Sequence, residues 1–159
     1  MERSYVPIVL LLFVVGGLYL YQSGYLFHNE SGSVVAFQKL IEGEKAPIEA
    51  RVNYRIKTPD ELALLWNSLG MKDQPPSIDF TKNEVAAVFA GLAPNRGYDI
   101  GVIRVVDSRN TRTFLIELER PEPACGHNGE TVSPFELIVL PRTTLRLTHT
   151  DQPITVSCP

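Results

Sequence analysis

Short apolar runs separated by turn residues follow one another along most of the chain. Runs rich in β-branched, aromatic and aliphatic residues predict strands at residues 34–40, 48–56, 84–90, 99–106, 112–118, 135–140, 144–148 and 154–158. The later runs have no helical periodicity between them. The pattern therefore favours an antiparallel β-sandwich or barrel.

One helix interrupts this series of strands. Thr58 is a typical N-cap, Pro59 suits the first helical position, Glu61 occupies the capping-box position and Gly70 suits the end of the helix. The apolar residues between them recur at helical spacing: Leu62, Leu65, Trp66 and Leu69. The sequence thus predicts a mainly β or α+β fold with one helix, in which Trp66 anchors the helix to the core.

The segment 76–102 predicts two strands joined by a turn built on Pro94, Asn95 and Gly97. Flanking strands of this kind hold a turn rigid and present its tip to solvent. The predicted exposed tip is Pro94, Asn95 and Arg96, followed by Gly97 and Tyr98. These five residues are the candidate binding site, and the apolar runs beside them are structural.

The N-terminal residues 1–27 predict a membrane anchor, because no charged residue lies between Arg3 and Glu30. A cleaved signal peptide and a buried core helix are the alternatives. Residues 28–33 form a polar spacer, and residues 34–159 form the domain. With Arg3 on the cytoplasmic side, the positive-inside rule places the domain outside the inner membrane of a bacterium, as a single-pass protein.

Charge and composition exclude some partners. The net charge is −3, and no basic stripe interleaved with aromatic residues is present, so we expect no nucleic-acid partner. No glycine-rich phosphate loop precedes the helix, and we expect no cofactor.

Cys125 and Cys158 are an even pair in the exported part, so we expect a disulfide that joins the last strand to the loop 120–131. A zinc site made with two histidines is the alternative, from Cys125, His127, His149 and Cys158. The spacing between its two halves fits no zinc-finger pattern.

The polar residues that we considered as catalytic candidates do not suit that role. His28 lies in the spacer, and Ser133 lacks the flanking glycines of a nucleophile elbow. Glu117 and Glu119 lie on one strand face, a spacing typical of a solvated surface. Asp79 suits the cap of the turn that enters the next strand. The sequence predicts a protein that is not an enzyme.

A set of turn and aromatic residues recurs at a characteristic spacing across residues 58–147. It comprises the Leu65-Trp66 pair and Pro76, Asp79, Phe80, Gly91, Pro94, Gly97, Tyr98, Thr131, Pro134 and Pro141. This spacing resembles the PrcB C-terminal-domain family, whose members are exported subunits of protease complexes. The resemblance implies a small β domain with one helix that binds an exported protein, such as a protease, without catalysis. This chain differs at Asn95-Arg96, where the family carries small residues, and in its two cysteines.

The same turn is similar to a Pro-x-x-Gly-Tyr loop of chagasin-type inhibitors of cysteine proteases. In those proteins several adjacent loops enter the protease cleft. Residues 93–98 and 120–129 would be two such loops here. A loop-based protease inhibitor is therefore the alternative function.

Overall fold

The computed structural model describes residues 32–125 and 130–157 of the chain. The predicted membrane anchor and most of the spacer lie outside the described residues. Along the chain the elements are β1 (Ser33–Val34), β2 (Gln38–Gly43), β3 (Val52–Ile56), α1 (Pro59–Ser68), β4 (Asn83–Phe89), β5 (Asp99–Asp107), β6 (Thr111–Pro121), a 3-10 helix (Pro123–Cys125), β7 (Phe135–Pro141) and β8 (Arg146–Val156). None of the helices in this part of the chain is long and apolar enough to cross a membrane.

The strands form two four-stranded sheets, which confirms the expected mainly β class with one helix. Sheet A has the order β1-β5-β6-β8, and sheet B has the order β2-β7-β4-β3. All pairs are antiparallel except β6 and β8, which are parallel. This pair differs from the expected antiparallel arrangement. After β6 the chain passes through β7 in sheet B, and it then returns to sheet A with β8 running in the same direction as β6.

Sheet B is covered on both faces, which explains why its central strands are apolar at nearly every position. Val85, Ala87 and Phe89 of β4 pack with α1 in one core cluster. Ala86 and Val88, the alternate residues of the same strand, pack against sheet A in a second cluster. The layers are therefore helix, sheet B and sheet A.

Helix α1 is built as its sequence predicts. The Thr58 hydroxyl accepts a hydrogen bond from the Glu61 amide at 3.2 Å, and the Glu61 carboxylate accepts one from the Lys57 amide at 2.6 Å. Trp66 is 6% exposed, and its indole nitrogen donates to the Asp73 carbonyl at 2.7 Å. Trp66 is thus the core anchor of the helix, as expected.

Two predicted strand assignments are wrong. Residues 34–40 form parts of two strands, β1 in sheet A and β2 in sheet B, rather than one. Residues 144–148 and 154–158 contribute to a single strand, β8, which tolerates Pro153 because it lies at the edge of sheet A. The two strands predicted on either side of the turn at Pro94 are β4 and β5, and they belong to different sheets, β4 to sheet B and β5 to sheet A. The turn between them carries the chain from one sheet to the other.

Two glutamates are buried on the face of sheet B that packs against sheet A, and each has charged or backbone partners. Glu84, 1% exposed, accepts hydrogen bonds from Arg55 at 2.6 and 2.9 Å and lies 3.5 Å from the Arg112 guanidinium. Glu136, 2% exposed, accepts from the Val102 amide at 2.6 Å and lies 3.0 Å from the Lys39 ammonium. These contacts offset part of the desolvation of the carboxylates and join the two sheets. The buried Oε1 atom of Glu84 faces the Arg112 charge at 3.5 Å without a hydrogen bond.

Candidate functional site

The turn between β4 and β5 is anchored to the segment before β7. Ala93 and Val132 exchange backbone hydrogen bonds of 2.8 and 3.0 Å. Gly91, just before this bridge, has φ +82°, and a Cβ atom there would lie 2.8 Å from the Glu49 carbonyl oxygen. The turn therefore depends on a residue without a side chain at position 91.

The predicted exposed tip is only partly exposed. Pro94 and Arg96 face solvent. Asn95 is 4% exposed, so the prediction of an exposed side chain is wrong at this position. The bridge between Ala93 and Val132 draws the chain toward the body of the domain just before Asn95, and this accounts for its burial.

Arg96 is held by a cluster of charged side chains. Its guanidinium Nε lies 2.8 Å from Glu130, whose other carboxylate oxygen accepts a hydrogen bond from the Lys45 ammonium at 2.7 Å. Glu44 is 4.0 Å from Arg96. Hydrogen bonds from Lys45 and then Arg96 hold the pKa of the Glu130 carboxyl below its ordinary value. These ion pairs join the turn to the segments before β3 and β7.

The exposed residues Leu92, Pro94 and Arg96 define a surface that we call the turn surface. Leu92 is 54% exposed, a high value for a leucine. Beside it is a cavity of about 210 Å³ whose lining includes Tyr98 and Arg120. A methyl group at Gly97 would lie 3.4 Å from the Pro121 side chain. The turn and the end of β6 therefore meet at one end of the domain.

The cysteine and metal predictions lie partly outside the described residues. Cys125 ends the 3-10 helix and is not a free thiol. Cys158 and His127 lie outside the described residues, so both the disulfide and the alternative metal site stay predictions. The Glu122 amide donates to the Val156 carbonyl at 2.9 Å, which brings the chain near Cys125 beside the end of β8. Among the described residues, no three histidine, cysteine, aspartate or glutamate side chains group as metal ligands.

Two polar residues considered for catalysis have structural contacts. The buried Ser133 hydroxyl donates to the Ile48 carbonyl at 2.6 Å. Asp79 caps the turn that enters β4, as expected, by accepting a hydrogen bond from the Thr81 amide at 3.0 Å. Hydrogen bonds from the Thr81 hydroxyl and then its amide lower the pKa of Asp79. Glu117 and Glu119 are half-buried on β6.

Sequence reasoning missed a cleft between the edge strands β3 and β8, which we call the side cleft. Its volume is about 560 Å³, and its lining includes Arg55, Val88, Phe114 and His149. Arg51 spans one part of it with a two-point ion pair to Asp151, at 3.0 and 2.6 Å. The sequence places Arg51 just before β3 and Arg55 within it, four positions apart. This spacing was compatible with either face of the strand, and only the packing of the sheets shows that both arginines line the cleft.

Comparison with known proteins does not assign this chain to a family. The chain matches no family model, no curated protein and no solved structure. The resemblance to the PrcB C-terminal-domain family therefore stays a prediction from the sequence.

Proposed function

We propose that this chain is a non-catalytic binding domain that engages an exported protein through the turn surface. In this proposal, residues 1–27 hold the domain at the outer face of the bacterial cytoplasmic membrane. The observation that supports it is the fixed geometry of the turn surface. Backbone bonds between Ala93 and Val132 and the ion pair between Arg96 and Glu130 hold the turn in place. A surface that is already ordered loses little conformational entropy when a partner binds.

The composition of the turn surface also suits protein recognition. Leu92 and Pro94 give it an apolar centre, and Arg96 lies at its charged edge. Protein interfaces commonly combine an apolar centre with a polar rim. On the basis of the PrcB-like turn residues, we propose further that the chain is an accessory subunit of an exported protease complex.

The test is affinity purification of the tagged full-length chain from membranes, with quantitative mass spectrometry of the proteins that accompany it. We expect Leu92→Glu to abolish the enrichment of a specific exported protein. Burial of a leucine contributes about 1.5–3 kcal/mol, so the substitution should weaken binding at least tenfold. Ile103→Glu is the matched control, because Ile103 is 46% exposed on sheet A and away from the turn. Equal enrichment with both variants would contradict the proposal, and an enriched protease would support the accessory role.

A loop-based inhibitor of cysteine proteases is the second candidate function. The observation that favours it is the contact between the turn and the end of β6, since such inhibitors use adjacent loops at one end of the domain. Titration of papain with the full-length chain tests the idea, with Tyr98→Ala as the variant. Inhibition that is lost in this variant supports the inhibitor role. No inhibition by micromolar wild-type chain eliminates it.

A further inference from the structure

Strand β3 forms an open edge of sheet B. Its residues pair with β4 on one side, and no strand among the described residues pairs with it on the other. An open edge presents backbone N–H and C=O groups that can pair with another extended segment. Over its five residues, β3 offers a ladder about 17 Å long.

The side cleft lies along one face of this edge and contains a polar group with no described partner. The Arg55 guanidinium uses Nε and Nη2 to hold Glu84, whereas its Nη1 makes no hydrogen bond to a described residue. The exposed side chain of His149 lines the same cleft. A carboxylate placed in the cleft would satisfy Nη1 with a charge-assisted hydrogen bond.

A second groove lies along the other face of β3, between this strand and α1. Its volume is about 410 Å³. Leu64 and Tyr54 line it and are 72% and 46% exposed, which is unusual for large apolar side chains. This groove therefore suits apolar side chains.

We propose that β3 receives an extended segment of a partner protein by strand addition. Successive side chains of a strand point to opposite faces, so alternate residues of the segment enter the two grooves. Acidic residues face Arg55 and His149, and the residues between them are apolar and face Tyr54 and Leu64. Backbone hydrogen bonds supply affinity, and the grooves select the sequence.

Charge argues for an acidic partner segment over a second copy of this chain. Arg51, just before β3, and Arg55, within it, lie two positions either side of Asn53. Each has one carboxylate partner, Asp151 and Glu84 respectively, but the residues that line the side cleft include both arginines and no acidic side chain. Two copies paired through β3 would bring arginines of one chain beside arginines of the other on that face. Like charges on neighbouring strands are destabilising. An acidic segment presents the opposite charge to the same positions.

The experiment measures binding of a fluorescein-labelled octapeptide of alternating glutamate and valine to the full-length chain in detergent micelles, by fluorescence anisotropy. We expect saturable binding below about 1 mM, and at least about tenfold weaker binding of the matched lysine–valine peptide. Two further peptides carry N-methyl groups on all glutamates or on all valines. Because alternate N–H groups point to the same strand edge, one of these two should lose at least about tenfold in affinity and the other less than about threefold.

Protein variants and hydrogen exchange locate the bound peptide. Leu64→Glu should weaken binding of the peptide at least about fivefold. Leu92→Glu, a leucine of the turn surface with similar exposure, should leave it unchanged, which separates this proposal from the one for the turn surface. The amides of Val52–Ile56 should exchange more slowly in the complex.

Several results would overturn the proposal. They are absence of saturable binding, equal affinity for the lysine peptide, equal effects of the two methylated peptides, or protection of another strand. Slow exchange of the β3 amides in a peptide-free dimer would also overturn it, since the occupant would then be a second copy of the chain.

Discussion

Replacing Gly91 with alanine tests how closely two backbone segments approach beneath the turn surface. A Cβ atom at this position would lie 2.8 Å from the Glu49 carbonyl oxygen, 2.9 Å from the Arg51 nitrogen and 3.0 Å from the Ala50 carbonyl carbon. All three are backbone atoms, so relief requires movement of the chain itself. Gly70 is the matched control, because its φ is also positive, at +70°, and a Cβ atom there would have no neighbour within 4 Å.

The two substitutions share the effects of a left-handed backbone and of unfolded-chain entropy, and they differ in steric crowding. A left-handed conformation costs a residue with a side chain about 1–2 kcal/mol, and this applies at both positions. Alanine also reduces the entropy of the unfolded chain by a similar amount at both positions. Crowding of the kind found only at Gly91 costs about 1–3 kcal/mol more. Because the first two effects are shared, we expect Gly91→Ala to lower the free energy of unfolding by about 1–3 kcal/mol more than Gly70→Ala does.

Urea unfolding followed by circular dichroism gives both free energies. The decisive quantity is the difference between the two variants, since errors common to both cancel. If Gly91→Ala costs no more than Gly70→Ala, the close approach between residue 91 and the chain before β3 is refuted.

Two further predictions concern charged groups. The pKa of Glu130 is lowered in the folded state, so its contribution to stability is complete above the unfolded-state pKa and is lost as the pH falls through the folded-state pKa. An NMR titration should show a rise of the Glu130 pKa in both Lys45→Ala and Arg96→Ala, and an unchanged pKa in either variant would contradict that contact. Glu136→Gln keeps an acceptor for the Val102 amide but removes the charge, and it should lower the free energy of unfolding by about 1–2 kcal/mol in urea unfolding. An unchanged free energy would show that the charge of Glu136 is not needed between the sheets.

Much of the local structure could be predicted because its causes lie within a few residues. Thr58, Pro59 and Glu61 specify where α1 begins, since the cap and the capping box act within one helical turn. Most of the strands could be recognised from their apolar runs. The apolar residues on both faces of β4 also carried information that sheet B is covered on two sides.

The candidate site could be predicted in part. The sequence indicated a turn near Pro94 and Gly97, and the structure brings that turn together with the end of β6. The sequence did not indicate that Asn95 is buried. Its burial depends on the bridge between Ala93 and Val132, two residues that are far apart in the chain. The side cleft was missed because it is formed by β3 and β8, which are close only after both sheets have formed.

The sequence by itself determined the helix, the approximate positions of most strands and the presence of a turn between β4 and β5. Only the tertiary structure decided that this turn crosses between sheets, that β6 and β8 run parallel, and that Arg55 faces a cleft. The physical reason is the range of the interactions. Caps and apolar alternation act between near neighbours, whereas the partner of a strand and the face it buries depend on packing between distant segments.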